Sequence, residues 1–556
     1  MSSFTRTGNI LDFKEEEFGK HPELESHLAA MAVKELNQES GRTLIIDYST
    51  GKRKPMKAGT LLAVAMVLGK RIKRTVPEKR VGIVLPPGIG AFVANLAITL
   101  IGKIPVNLNF TLGTEAIQSC IDKAGVETII TAKQLMDKVP HFPWTDSVID
   151  LAPTIQSLSK VKIAAMLACV KLLPTAIFTK LFKIPTQGGD QEAALLFTSG
   201  SCGMPKGVPL THRNIIANIL QVNDCDLLGH DENIVGCLPI FHSFGFTVTM
   251  WLPMLIGTRI ITLPSPLEPR KIADAIEAEQ ATIHIGTPTF FRPYLRKVDP
   301  EKLRSLKAVV AGAEKTPPGF PQAWEERFGC PYLEGYGLTE TSPVVGVNLL
   351  KHPHKTNPIP GYESARVGSI GRPFIGLSLR VLNPETLEEQ SPYEQGLLSL
   401  RGPNVFTGYL NNEEATAKAF ENGWLVTGDL ARFDEDGFLY VEGRLSRFSK
   451  IGGEMVPHIA VEQTLLRVLG MEDEAPQALV VTSSHDKAKG EALVILSTRD
   501  LDPELIREKL SAEGLPNLWI PKRVKQVGAI PMLATGKLDI QGCQRLAKEA
   551  RVLQEV

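Results

Sequence analysis

The stretch Leu195–His212 reads LLFTSGSCGMPKGVPLTH, an apolar run entering small hydroxyl residues, three glycines and one lysine. Gly200, Gly203 and Gly207 let backbone N–H groups approach an anion without a Cβ in the way, Thr198, Ser199 and Ser201 add hydroxyl donors, and Lys206 brings a positive charge. That is chemistry for holding phosphate. It is not a GxxxxGK[ST] loop, because Gly207 rather than Ser or Thr follows Lys206, and no GxGxxG follows a strand elsewhere to mark a dinucleotide site. Taken alone, the same composition also describes a solvated turn.

Five further elements follow in order. Tyr336-Gly337-Leu338-Thr339-Glu340-Thr341 comes after the strand-like PYLEG, then Val426-Thr427-Gly428-Asp429-Leu430 and Gly443-Arg444, then Lys450-Ile451-Gly452-Gly453-Glu454, and finally Thr535-Gly536-Lys537-Leu538. With the first loop, these resemble the adenylate-forming superfamily of acyl-CoA synthetases, luciferases and peptide-synthetase adenylation domains, over nearly the whole chain. The resemblance implies ATP and Mg²⁺, with Tyr336 and Gly337 at adenine, Thr339 by the α-phosphate, and Glu340 holding Mg²⁺. Gly312, Ala313 and Glu314, Asp429 at the ribose, and Arg444 would complete the nucleotide contacts. An aromatic face suits a purine, a carboxylate suits Mg²⁺ bridging phosphates, and an acceptor-only Asp429 can take both ribose hydroxyls. Lys537 is implied as the catalytic lysine, placing positive charge where the adenylation transition state spreads negative charge. Outside this context Glu340 would read as a surface carboxylate, Asp429 as a turn residue and Lys537 as a solvated lysine.

The family separates two half-reactions by rotating its C-terminal domain about a hinge that is usually Asp or Lys; the matching position here is Arg447. In the rotated state Lys450, Gly452, Gly453 and Glu454 would face the pocket and serve transfer to a thiol. Leu238–Phe246, LPIFHSFGF, resembles the acyl-pocket motif. His242 stands there where amino-acid-activating members usually carry Asp, which favours a fatty acid; a hydrogen-bonded core histidine is the alternative reading.

A narrower likeness, in Gly361–Gly371, Arg444–Pro457 and Gly514–Lys522, is to the acyl-acyl carrier protein synthetase half of bacterial 2-acylglycerophosphoethanolamine acyltransferases. It implies a long-chain fatty acid and acyl carrier protein as the thiol acceptor, with CoA the nearest rival. Of the acyltransferase half there is only the spacing of His141 and Asp146, without a later FPEGTR-like block, a chance match. A noncatalytic nucleotide-binding adaptor on a membrane is a third reading, whose mark would be loss of Lys537, Glu340 or Asp429; all three are present.

These residues need a scaffold. The 556 residues exceed what one core usually organises. VGIVLPPG, AFVANLAITLIGK and IPVNLNF read as strand, helix and strand, and GVETIITA, ATIHIGTP and LKAVVAGAE repeat the alternation. We therefore expect a large N-terminal layered α/β domain over residues 1–444, with a β-rich subdomain at about 365–444, a hinge at 445–448, and a small mobile α+β domain over 449–556. Lys plus Arg and Asp plus Glu both total 61, so no charge excess points to nucleic acid. The seven cysteines form no CxxC pair, as in a reduced, cytoplasmic chain, and the N-terminal residues lack a basic-then-apolar leader.

One segment stands apart. Residues 151–189 contain no Asp or Glu, while Lys160, Lys162, Lys171, Lys180 and Lys183 punctuate an apolar sequence. Its apolar runs fall short of the roughly 20 residues of a spanning helix, leaving an interfacial helix at the cytoplasmic face of a membrane, or core-packed helices with snorkelling lysines.

Overall fold

A computed structural model describes residues 4–198, 204–225, 227–350, 363–452, 454–471, 478–486, 490–532 and 538–549. Four sheets form among them. The largest carries the parallel strands Thr43–Asp47, Arg259–Thr262, Asn233–Gly236, Ile283–Gly286, Ala308–Ala311 and Tyr332–Gly337. Antiparallel Lys54–Lys57 and Val344–Val347 close its two edges. Its central strands are buried on both faces, as their β-branched runs require.

A second sheet runs Lys206–Thr211, Glu192–Thr198, Ile104–Asn107, Arg80–Ile83, Thr128–Thr131 and Ser147–Asp150. The helix Ile89–Leu100, nearly wholly buried, makes the crossover between Arg80–Ile83 and Ile104–Asn107. The strand, helix and strand read from this stretch of sequence are all present. Helices Leu28–Gln38, Ala58–Thr75 and His212–Asp224 share one continuous core with both sheets.

The third sheet is antiparallel and joins Ser378–Leu382, Gly396–Arg401, Trp424–Phe433 and Leu439–Arg444. It is not confined to 365–444. Ile10–Asp12 pairs with Ser378–Leu382 through Ser378 opposite Asp12 and Leu379 opposite Leu11, and Thr5–Thr7 adds an outer strand. Leu11 and Phe13 are both 1% exposed, so the first turn of the chain is stitched into this layer by burial.

The smaller C-terminal domain has its own sheet, formed by Glu454–Pro457, Phe448–Ile451, Gly490–Ser497, Leu479–Asp486 and Arg523–Gln526. Helices His458–Leu469 and Pro503–Ala512 cover one face, where Val461, Leu465, Ile506 and Leu510 meet Val481 and Ile495. Helix Ile540–Glu549 covers the other, where Cys543 and Ala547 meet Val480 and Val494. Arg447, expected at the hinge, is buried. Its side chain is 9% exposed, its Nη2 meets Glu462 Oε1 at 2.5 Å, and its Nη1 donates to the Val481 carbonyl at 3.2 Å, so it is anchored in the C-terminal domain.

Candidate active site

Parallel strands deliver the chain to one place. Asn233–Gly236, Ile283–Gly286, Ala308–Ala311 and Tyr332–Gly337 end beside one another, and the residues just past them line a cavity of about 620 Å³, as expected at the carboxyl ends of an open α/β sheet. Its polar end holds Thr198, Lys206, Gly312, Ala313, Glu314, Tyr336, Gly337, Thr339, Glu340 and Arg444, all expected at the nucleotide.

Gly337 is required for this placement. A Cβ there would sit 2.0 Å from the Pro343 carbonyl oxygen, so only glycine lets the motif fold back on itself, with Leu338 N–H donating to the same oxygen at 3.0 Å. Gly207 also meets a packing constraint. Lys206 and Gly207 open the strand Lys206–Thr211, paired to Glu192–Thr198, and a Cβ on Gly207 would meet Leu410 Cβ at 3.0 Å. Close packing against Leu410 explains this glycine. Ser199, Gly200, Ser201 and Gly203 of the same loop, and Lys537 and Gly453, lie outside the described residues.

Asp429 sits just behind the cavity wall, 4% exposed. Its Oδ1 meets Arg444 Nε at 2.9 Å, and its Oδ2 accepts from the Tyr336 hydroxyl. Burial pushes its carboxyl above the ordinary aspartate range, and the Arg444 guanidinium opposes that rise. Two carboxylate oxygens carry about four acceptor positions, so ribose hydroxyls can join these partners. Arg444 also donates from Nη1 to the Thr427 carbonyl at 3.0 Å, which fixes the guanidinium beside the cavity.

Glu340 Oε1 accepts from the Tyr409 hydroxyl at 2.8 Å, while Lys206 Nζ lies over the Tyr409 ring, 4.5 Å from its centre. Sequence reasoning missed Tyr409; an aromatic after a glycine in FTGYL is ordinary loop composition until the loop is seen to return to the site. Ser243 Oγ donates to Thr339 Oγ1 at 3.3 Å and ties the LPIFHSFGF motif to the nucleotide motif. His242 is exposed on the cavity wall rather than enclosed in the core, with its ring edge-on to Phe241.

Away from the polar end the lining turns apolar: Val222, Leu228, Leu238, Val248, Ile285 and Phe374 are among its walls. Val248 lies on a π-helix, Phe244–Trp251, an irregular turn that often marks functional sites. Leu538 and Ile540, from the C-terminal domain, also line the cavity. Lys450, Gly452 and Glu454 are not among its lining; Lys450 pairs instead with Glu385, on the turn after Ser378–Leu382, and Glu454 Oε1 accepts from Trp519 Nε1 at 2.9 Å.

The model of the family described as AMP-binding enzyme matches residues 61–410. A long-chain-fatty-acid–CoA ligase of Bacillus subtilis is 32% identical over 373 residues, covering 65% of this chain and 63% of that enzyme. A long-chain-fatty-acid–CoA ligase of Escherichia coli O157:H7 is 28% identical over 487 residues, 83% of this chain and 84% of that enzyme. Among solved structures, ATP-bound MatB from Rhodopseudomonas palustris superposes with a TM-score of 0.73 at 23% identity, over 94% of this chain and 99% of that one. O-succinylbenzoate coenzyme A synthetase from Bacillus subtilis, in complex with ATP and magnesium ion, gives 0.73 at 22% identity, over 91% and 98%.

Proposed function

Because the chain belongs to the AMP-binding enzyme family, we propose that it activates a long-chain fatty acid with ATP and passes the acyl group to a thiol. One observation carries the reading: a single cavity joins a polar end lined by Lys206, Thr339, Glu340 and Arg444 to a wall of Val, Leu, Ile and Phe side chains. A fatty acid needs both, a dry wall for its chain and cations and hydroxyls at its reacting carboxylate.

In the first step a carboxylate oxygen of the acid bonds to the α-phosphorus of ATP, the bond to the β-phosphate oxygen breaks, and pyrophosphate leaves. Tyr336 and Gly337 hold the adenine, Asp429 and Arg444 the ribose, and Thr198, Lys206 and Thr339 the phosphates. Lys537 is assigned from its motif to the charge that develops at the α-phosphate; its neighbours Leu538 and Ile540 line the same cavity. In the second step the thiol sulfur bonds to the acyl carbon, AMP leaves, and the thiol proton passes to solvent. Positioning and electrostatics suffice for both steps. Lys450, Gly452, Gly453 and Glu454 serve this second step after a rotation of the C-terminal domain near residues 445–448, with Arg447 carried as part of the moving body.

The residues fit Mg²⁺ as a companion of ATP. No group of three or more Asp, Glu, His or Cys side chains placed to hold a metal ion occurs among the described residues, but Mg²⁺ typically binds through one or two carboxylates with substrate phosphates, and Glu340 supplies a carboxylate at the polar end. When bound, the ion would neutralise phosphate charge.

CoA is the preferred acceptor, since the Bacillus subtilis and Escherichia coli relatives are CoA ligases. Acyl carrier protein remains the second reading, favoured by the Arg444–Pro457 and Gly514–Lys522 stretches. The deciding experiment is ATP–pyrophosphate exchange across fatty acids of increasing length, followed by acyl transfer to CoA and to holo acyl carrier protein in parallel. Exchange rising with chain length and faster transfer to CoA is the expected result. Faster transfer to the carrier protein reassigns the acceptor, and no exchange with any acid overturns the activity.

A further inference from the structure

Within the acid-free segment lie the helices Lys160–Leu172 and Thr175–Phe182, and the first of these is apolar on two opposite sides. Met166 and Val170 face the core, with Ile163 half-buried beside them. On the outer side Val161, Ala165, Ala168 and Leu172 fall within about 60° of one another at helical spacing, and all four are exposed. Val161 and Leu172 are 78% and 79% exposed. Lys160 and Lys171 lie about 100° to one side of this stripe and Lys162 about as far to the other.

The second helix adds exposed Ile177 and Leu181, with Lys180 and Lys183 beside them. Of the ten large apolar side chains most exposed among the described residues, four lie in this hairpin. A helix apolar on two opposite sides needs an apolar neighbour for each, and here the core takes only one.

Neighbouring structure adds cations. Helix Ala58–Thr75 packs alongside, with Lys70, Arg71, Lys73 and Arg74 exposed at its end. Lys70 Nζ lies 4.9 Å from the centre of the Phe182 ring, and Arg71 Nη1 donates to Ser157 Oγ at 2.6 Å, just before the hairpin. Asn37 fixes the hairpin turn, its Nδ2 donating to the Val170 and Leu173 carbonyls and its Oδ1 accepting from Thr175 Oγ1. The outer stripe is therefore presented by a rigid support.

We propose that the outer face of the Lys160–Phe182 hairpin docks on an anionic lipid bilayer. The apolar stripe enters the headgroup boundary, and the flanking lysines with the Lys70–Arg74 cluster meet anionic headgroups. Charge complementarity selects this occupant: a stripe edged on both sides by cations, in a segment with no acid, fits a uniformly negative surface better than a mixed protein face. The inference stands on surface residues outside the cavity and does not depend on the reaction proposed above.

The test is co-sedimentation of the full chain with vesicles of phosphatidylcholine, alone and with about one third phosphatidylglycerol. Two variants accompany it, V161S/L172S/I177S/L181S and K160Q/K162Q/K171Q/K180Q, each checked for an unchanged thermal melt because every altered side chain is exposed. Binding is expected to need phosphatidylglycerol, to weaken as salt rises, and to fall roughly tenfold or more in either variant. Binding indifferent to phosphatidylglycerol, or unchanged in the apolar variant, overturns the proposal. So does a wild-type dimer that binds no vesicles and becomes monomeric in the apolar variant, since the stripe is then a contact between two copies.

Discussion

The Tyr409 hydroxyl donates to Glu340 Oε1 at 2.8 Å while the face of the same ring receives Lys206 Nζ at 4.5 Å. One side chain thus sets the spacing between the cation and the carboxylate at the polar end of the cavity. Tyr409→Phe keeps the ring and removes the hydrogen bond, so the Mg²⁺ concentration for half-maximal pyrophosphate exchange should rise roughly tenfold, with the rate recovering at high Mg²⁺. Tyr409→Leu should in addition raise the KM for ATP, because Lys206 loses its ring. A Mg²⁺ titration of the three proteins checks both.

Gly337→Ala forces a methyl group against the Pro343 carbonyl at 2.0 Å. The expected cost is about 1–3 kcal/mol of stability, together with loss of nucleotide binding well beyond what the melt alone explains. Differential scanning calorimetry with and without ATP separates the two, since the variant should lose the nucleotide-dependent rise in Tm.

Arg447→Ala leaves the Glu462 carboxylate buried without its cation. Burial already drives that carboxyl above the ordinary glutamate range, with Arg447 holding it down. The C-terminal domain should lose about 3–5 kcal/mol, and Arg447→Ala with Glu462→Leu should recover much of it. A pivot whose side chain carried no packing role would leave the urea midpoint unmoved.

His27 and His212 stack with ring centres 3.7 Å apart at the starts of two helices, and both are buried. Their Nδ1 atoms accept from Ala29 and Leu28 N–H groups. Burial pulls His27 from 6.5 down to about 4, and burial with the neighbouring His27 pulls His212 to about 3. The unfolded chain binds protons that the folded chain refuses, so their stability contribution is complete above pH 6.5 and is lost as pH falls through that value towards 3. For His27 alone the loss is about 3 kcal/mol. His27→Asn keeps an acceptor for the helix start, so its Tm should fall less steeply between pH 6.5 and 4 than that of the parent.

The strands around Val81, Ile129, Ile285 and Val309 were legible because parallel strands buried on both faces are short β-branched runs. Thr5–Thr7 and Ile10–Asp12 were not, since three-residue strands carry no periodicity and their partner Ser378–Leu382 lies hundreds of residues away. The motifs at Thr198, Tyr336 and Arg444 do meet at one cavity. What local pattern could not convey was reach: Tyr409 arrives on a returning loop, Gly207 answers to Leu410, and the Asp429 carboxylate is already engaged by Tyr336 and Arg444.

The pairing of Ile10–Asp12 with Ser378–Leu382 covers one side of the sheet that carries Asp429. A chain trimmed before Lys14 would keep every side chain at the cavity yet leave the edge of Ser378 and Leu379 without its paired strand, with the apolar surface that Leu11 and Phe13 now cover. Such an open edge recruits strands from other molecules. Residues 5–13 therefore keep that edge covered, and a chain without them is expected to precipitate at concentrations where the full chain stays dissolved.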